Sequence, residues 1–537
     1  MAIVTPKGRK HLSADALFRL VHTGFDHIPD YRPADADISL TDALMSAFAM
    51  FSLKSPSLLA FDKERAEGNL HTIYGIKRVP CDTQMREILD PVVPKSLRPV
   101  FQSVFAQLQR GNAREPMVFL DGCYLLALDG TGYFSSKTMH CASCLHQGHR
   151  NRTITYTHQM LGAAIIHPEV RAVIPLMPEP IVKRDGTSKN DGERHAAKRF
   201  VSRLRHDHPH LKCIITADSL SSNAPHIETL HAHHLHYSLG VKEGDHAWLV
   251  AQVRAAEQAG RVTSYERHDR AAGLVHRFRF VNDVPLHASN ADVRVNLIEY
   301  WEHRRDQVQH FSWVTDLRVS TRNVFHLMRG GRARWKIEHE TFNTLKNQGY
   351  HFEHNYGHGE QNLSVVFAIV MMLAFLVDQT QQLCCALLQA VWAKLGSKRL
   401  LWERLRALCY DYALESMRQL LEALLYGLKK SKPILVVDSS SSLHRCSCDP
   451  PPSHTVISHR FGKATPPRHA GAACNKTAGH LRPRKSLHKA ETDSRNPERV
   501  VHSHGRIGLS GHKRELLRFP LSPRHAHGWV APDRGAV

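Results

Sequence analysis

Three acidic residues occupy places where a carboxylate could do chemistry. Asp129 closes the apolar run YLLAL and is followed by Gly130 and Thr131. Asp218 closes the apolar run CIITA and is followed by Ser219. Glu338 lies in RARWKIEHETFNTLK, in the first turns of an expected helix. The end of a central strand opens to solvent, so an α/β protein can place a ligand there without burying an unpaired charge. Singly, an Asp before Gly or Ser is commonly a turn or cap residue, and a Glu in a first helical turn commonly complements the dipole. Jointly they suit a hard, oxygen-preferring cation such as Mg²⁺, with Mn²⁺ as a substitute. Two such ions about 3.5–4 Å apart stabilise the attacking and leaving oxygens of an in-line displacement at phosphorus. The expected set, catalytic and metal-holding alike, is Asp129, Asp218 and Glu338.

The elements that must position these acids read as an α/β chain of several parts. Residues 1–112 have helical periodicity, with Ser39 or Thr41 as N-cap of the stretch SLTDALMSAFAMF. In this region Lys77, Arg78 and Arg86 either touch phosphates or solvate a helical face. Residues 113–247 change texture. Three apolar strand-like runs, the first beginning near the turn signal Asp121-Gly122, precede a helix over NDGERHAAKRFVSRLRHD capped by Asn190 or Asp191. Strand, helix and strand follow, so the order suits a mixed sheet covered by helices. Residues 248–321 read as a β-strand insertion, and 322–436 as the helical remainder. The run VVFAIVMMLAFLV at 365–377 is too short to span a bilayer and reads as a buried helix. Residues 437–537 are rich in Ser, Pro, His and Arg without period, and are expected to be disordered.

The charge points to a polyanion. There are 71 Lys and Arg against 50 Asp and Glu, a formal +21, and basic side chains on phosphates release counterions. About half of that surplus falls in 451–537, so the body is moderately basic. The opening MAIVTPKGRKHLSADALF has no secretory apolar core, and the 11 cysteines are scattered rather than paired in a framework. A reduced, cytoplasmic protein is expected.

LALDGT around Asp129, ITADSL around Asp218 and RWKIE…F..LK from Arg334 to Lys346 resemble the DDE signature of bacterial insertion-sequence transposases. The gap of about 120 residues between Asp218 and Glu338, filled with strands, resembles the β-insertion (YREK-like) subgroup, as does GIKRVPCDTQMREILD. The resemblance covers about 42–382. It implies a ribonuclease-H-like fold, recognition of terminal inverted repeats, divalent-metal-dependent cleavage of DNA ends, strand transfer into target DNA, and a homodimer in the synaptic complex. The alternatives are a metal-dependent nuclease without strand transfer and a catalytically inactive, transposase-derived DNA-binding protein.

Two positions depart from the subgroup. Its tyrosine three residues before the arginine is Gly331 here, and its lysine seven residues after the glutamate is Leu345, with Lys346 one later. One residue is about 100° around a helix, so Lys346 should point elsewhere unless the helix starts late. Glu340 is therefore a rival third carboxylate. Arg334, Lys346, Arg332 and Lys336 are the expected DNA contacts. Trp335 and Trp313 are expected to be core aromatics. His351, His354 and His358, with Asn355, are expected to serve a turn or the DNA path. Cys141-x-x-Cys144, with His140, His146 and His149 nearby, has the spacing of a zinc site. Only one CxxC exists, however, so Zn²⁺ is the lesser alternative to a reduced pair on a loop.

Overall fold

The computed structural model describes residues 10–63, 68–182, 192–305 and 307–427. The expected disordered tail at 437–537 and the expected caps Asn190 and Asp191 lie outside these residues.

The N-terminal region folds into helices because short polar side chains cap apolar stripes. Ser13 accepts from the Ala16 N–H at the start of α1 (Ala14–Asp26), which buries Leu17, Phe18, Val21 and Phe25. Ser39 does the same for α2 (Leu40–Ser52), through the Asp42 N–H. Every residue of α2 except Thr41 is buried, as befits a helix surrounded on all sides.

A single mixed sheet carries the middle of the chain. Its strands are β1 (Cys123–Ser136), β2 (Ile154–Ile166), β3 (Cys213–Ala217), β4 (His236–Gly240), β5 (Thr263–Asp269), β6 (Leu274–His287), β7 (Asn290–Arg304) and β8 (Gln307–Thr315). The spatial order is β2-β1-β3-β4-β8-β7-β6-β5, with the short strands Leu145–Gly148, Ile174–Pro175 and Glu179–Ile181 along β2. β1 pairs antiparallel with β2 and parallel with β3, and β3 pairs parallel with β4. The sheet is entered through Asp121 and Gly122, both with positive φ (50° and 76°), the tight turn that places Val118–Leu120 against β1. α3 (Glu193–Asp207) covers one face with Ala196, Phe200 and Leu204.

Residues 263–315 are four consecutive antiparallel strands that extend this sheet, β8 pairing with β4. A helix, Ala247–Gln258, precedes them where strand was expected. They own a separate apolar cluster of Phe278, Phe280, Ile298, Tyr300 and Trp313. This cluster receives Val324, Leu327 and Met328 of α4 (Val324–Arg332).

The expected helical remainder is several helices, interrupted at 348–362 by a loop. α5 (Leu363–Cys384) contains the apolar run and is long and apolar enough to cross a membrane, yet its apolar window is wholly buried. It packs on α2, so the N-terminal helices share a core with this late segment. The Asp90 carboxylate accepts from the N–H groups of Gln361, Asn362 and Leu363, capping α5 from a distant part of the chain. Lys54, two residues past the end of α2, and Asp378 of α5 form a buried ion pair, and the Tyr350 hydroxyl donates to the same carboxylate.

Candidate active site

The register of β1 and β3 is what brings the first two acids together. Ala127 lies opposite Thr216 in the parallel ladder, and Asp129 and Asp218 are each two residues further on. Parallel neighbours are about 4.8 Å apart, so the two carboxylates leave adjacent strands side by side. Asp218 also ends its strand by accepting from the Leu220 N–H, which turns the chain away.

The third acid arrives from the helical turn after α4. Phe342 sits on Gly162 of β2, where a Cβ would come within 2.6 Å of its ring, and Gly162 is the antiparallel partner of Asp129. The absent side chain lets the segment carrying Glu338 close onto the sheet. Arg334 then spans the gap: Nη2 donates to Glu338 Oε1 at 2.8 Å, and Nη1 reaches Asp129 Oδ2 at 3.4 Å. Glu340 does not join them. It pairs with Arg171 at 3.4 Å.

Sequence reasoning missed a fourth acid. Glu193, the first residue of α3, accepts from the Gly130 N–H, and a Cβ on Gly130 would fall 2.5 Å from its Oε2. Its carboxyl is raised above the ordinary range by burial and then by the negative Asp218. The only local signal was an acid in a first helical turn, which usually means dipole complementation.

Asp129 is the electrostatic centre. Burial pushes its carboxyl up to about 7, Arg334 opposes that, and the negative charges of Glu338, Glu193 and Asp218 reinforce it. Four carboxylates facing one another with a single guanidinium among them are short of positive charge. The donors are all oxygen, which fits a hard divalent cation and not a soft one.

Residues Ile337–Phe342 form a π-helical turn, closed by the Asn343 N–H to the Glu338 carbonyl. Such a turn inserts one residue into a helix. Lys346, eight residues after Glu338, is thereby phased as the seventh would be in a regular helix, while Leu345 is fully buried. Lys346 is half-buried, with Nζ 2.7 Å from Glu353. Gly331 has a spatial cause too: a Cβ there would come 2.6 Å from the Trp313 indole, so no tyrosine fits.

The expected DNA contacts divide. Arg334 is on the site. Lys336 is buried at 6 % exposure and donates to the Val170 carbonyl at 2.8 Å, so it is no free phosphate ligand. Burial lowers its ammonium below the usual range. Arg332 stacks over Phe311 at 4.0 Å and faces Glu302 at 3.9 Å, which commits it to the extended sheet. Trp313 is a core aromatic as expected, but Trp335 is 45 % exposed, beside Arg334 in sequence. Of the basic residues in the N-terminal region, Arg78 and Arg86 pair with Asp37 and Asp82.

Residues 172–376 match the family described as the transposase DDE domain. The matched segment includes Asp218 and Glu338 and begins after Asp129. No curated protein matches the chain. The match supports a DDE transposase: a DNA-acting protein with transposase-type nuclease activity of a kind that generally uses divalent metal ions. The mixed sheet is consistent with the ribonuclease-H-like domain of such enzymes.

Proposed function

We propose that this chain is a DDE transposase that cleaves the ends of its own element and joins them to target DNA, with Asp129, Asp218 and Glu338 as its catalytic carboxylates. The observation that carries this reading is the convergence of one strand pair and one helix on a single point. Asp129 and Asp218 leave adjacent parallel strands, and Arg334 ties Glu338 to Asp129.

When bound there, a pair of Mg²⁺ or Mn²⁺ ions would supply Lewis acidity to a scissile phosphate and lower the pKa of the attacking hydroxyl. The chain's own residues arrange the rest. Asp129, central and half-buried, would hold the ions together with Asp218 and Glu338, which flank it. Glu193 adds negative charge on the Asp218 side. Arg334 keeps the carboxylates together and presents a guanidinium at the rim, suited to a non-bridging phosphate oxygen. Trp335, exposed beside it, offers a face to a displaced base. Lys346, in phase with Glu338 through the π-turn, supports assignment to the β-insertion subgroup despite Gly331. Terminal repeats and target DNA are the partners, and a homodimer is the working synaptic form.

The test is a cleavage assay on DNA carrying the repeats that flank the gene, with Mg²⁺ or with chelator. Wild type should cut at the repeat ends only with the metal, and Asp218→Ala should not cut. A pre-cut end with a free 3′-hydroxyl should be joined to target DNA. Cutting without joining would make the protein a nuclease instead. If Asp129→Ala retains every DNA activity of the wild type, the carboxylate assignment is wrong.

A further inference from the structure

Away from the carboxylates, the structure gathers four soft-to-borderline donors around one point. Cys141 and Cys144 lie in the connection between β1 and β2, before the short strand Leu145–Gly148. His158 is on β2, and His358 is in the loop before α5. Their ligating atoms all lie within 4.8 Å of one another. Exposure is 8 % for Cys141, 0 % for Cys144 and His158, and 9 % for His358. The cysteines were expected to form a reduced pair on a loop, and the sequence-neighbouring histidines are not among the four donors: His149 Nε2 bonds the Thr155 hydroxyl, and His140 and His146 lie against Tyr156. His358, expected on a turn or along DNA, lies in the loop at 348–362 and points inward to the cluster.

We propose that Cys141, Cys144, His158 and His358 hold a structural zinc ion. Zn–S bonds of about 2.3 Å and Zn–N bonds of about 2.0–2.1 Å, at tetrahedral angles, require S···S near about 3.8 Å and S···N near about 3.5 Å. The two sulfurs are 3.9 Å apart. His158 Nε2 is 3.4 Å from each sulfur, and His358 Nε2 is 3.5 Å from Cys144 Sγ. The sulfurs are too far apart for a disulfide, whose bond is about 2.05 Å. A two-iron cluster with two cysteines on one iron and two histidines on the other is excluded by the same contacts, because it would separate thiolates from imidazoles.

The surroundings agree. His158 Nδ1 and His358 Nδ1 are buried without partners, so both rings direct their only polar contacts through Nε2 toward the centre. Tyr133 stacks along His158 and Phe134 packs on His358, fixing both rings and excluding water. Two thiols and two imidazoles facing one another in such a place make a poor core by themselves, because S–H is a weak donor. A tetrahedral S₂N₂ donor set selects zinc and satisfies all four atoms. The ion would fasten the first hairpin of the sheet to the loop that follows the Glu338 helix, locking two segments that flank the carboxylates without touching them.

The full chain, purified without chelator, should contain about one zinc per polypeptide, lost in Cys144→Ser and His358→Ala and kept in Cys81→Ser. Zinc-free chain titrated with Co²⁺ should develop the thiolate charge-transfer band and intense visible bands of a tetrahedral thiolate site. Carboxylate-bound Co²⁺ gives neither, so the two kinds of site are separable. If the variants fail to fold, the Co²⁺ spectrum of wild type decides. A weak octahedral spectrum overturns the proposal, as does zinc content unchanged in both folded variants.

Discussion

Arg334 donates to Glu338 one helical turn away and at the same time faces Asp129 across the sheet. Its guanidinium opposes the rise of the Asp129 carboxyl, and it contacts both of two carboxylates that the proposed chemistry needs close together. Replacing it should therefore do more than remove a DNA contact. Arg334→Gln leaves both acids without their shared donor, and metal-dependent cleavage should fall by about 100-fold or more, the usual scale for a charge-aligning group. Because a lysine ammonium cannot make two planar contacts, Arg334→Lys should recover only part of this. Single-turnover cleavage with saturating DNA is the measurement, and equal rates in wild type and Arg334→Gln would contradict the role.

Asp129 makes stability depend on pH. Its carboxyl is pushed up to about 7 in the folded protein, well above the ordinary carboxylate range, chiefly through burial. A raised carboxylate means that the folded state binds the proton more tightly, so its contribution favours folding below about pH 4 and is lost as pH rises to about 7. In metal-free protein the loss should amount to about 2–4 kcal/mol. Asp129→Asn should flatten that slope and raise the thermal midpoint at pH 8. Mg²⁺ should stabilise wild type there and do little for the variant. Scanning calorimetry across pH, with and without the metal, checks both.

Glu193 should matter although it belongs to no recognised motif. Glu193→Gln removes a charge beside Asp218 without changing shape, and the Mg²⁺ concentration for half-maximal cleavage should rise several-fold. Gly130→Ala should do the same from the other side, because its new Cβ would displace the Glu193 carboxylate. A metal titration of cleavage rate that is unchanged in both variants would remove Glu193 from the site.

Restoring the subgroup tyrosine should harm the protein. Gly331→Tyr drives a ring into Trp313, and overpacking of this kind costs about 1–3 kcal/mol or more. Adding Trp313→Ala to the same chain should return part of the loss. Urea unfolding of both single variants and the double variant beside wild type measures the coupling, and additive effects would mean that the two side chains do not compete for the same space.

Much of the architecture was written in local patterns. The alternation in LVHRFRFV and VRVNLIEYWEH gave strands, and Ser39 was legible as a cap because capping is decided within three residues. The unbroken apolar run at 365–377 told of a buried helix. The position of Asp218 at a strand end was equally readable, but Asp129, expected to end its strand, lies in the middle of β1, which runs on to Ser136, because β2 keeps pairing with it beyond the last residue that β3 reaches. What escaped was set by contacts between residues far apart in the chain. Lys336 looked like a free basic residue until the Val170 carbonyl, 166 residues away, accepted its proton. His358 meets Cys144 across 214 residues, so no spacing rule would pair them. Trp335 was misread as core because a run such as GRARWK carries too little periodicity to say which way its aromatic faces. The π-turn was hidden in the same way, since its extra residue shows only as Lys346 standing one place late.

The burial of α5 between the N-terminal helices and the sheet bears on how the protein is made. α2 emerges from the ribosome more than 300 residues before the segment that covers it, and Lys54 waits as long for Asp378. Until then α2 exposes apolar surface of the sort that holdase chaperones bind. A product truncated before residue 363 would lack this partner helix and should remain aggregation-prone. Synthesis of nearly the whole described chain is thus a precondition for covering α2 and completing the shared core.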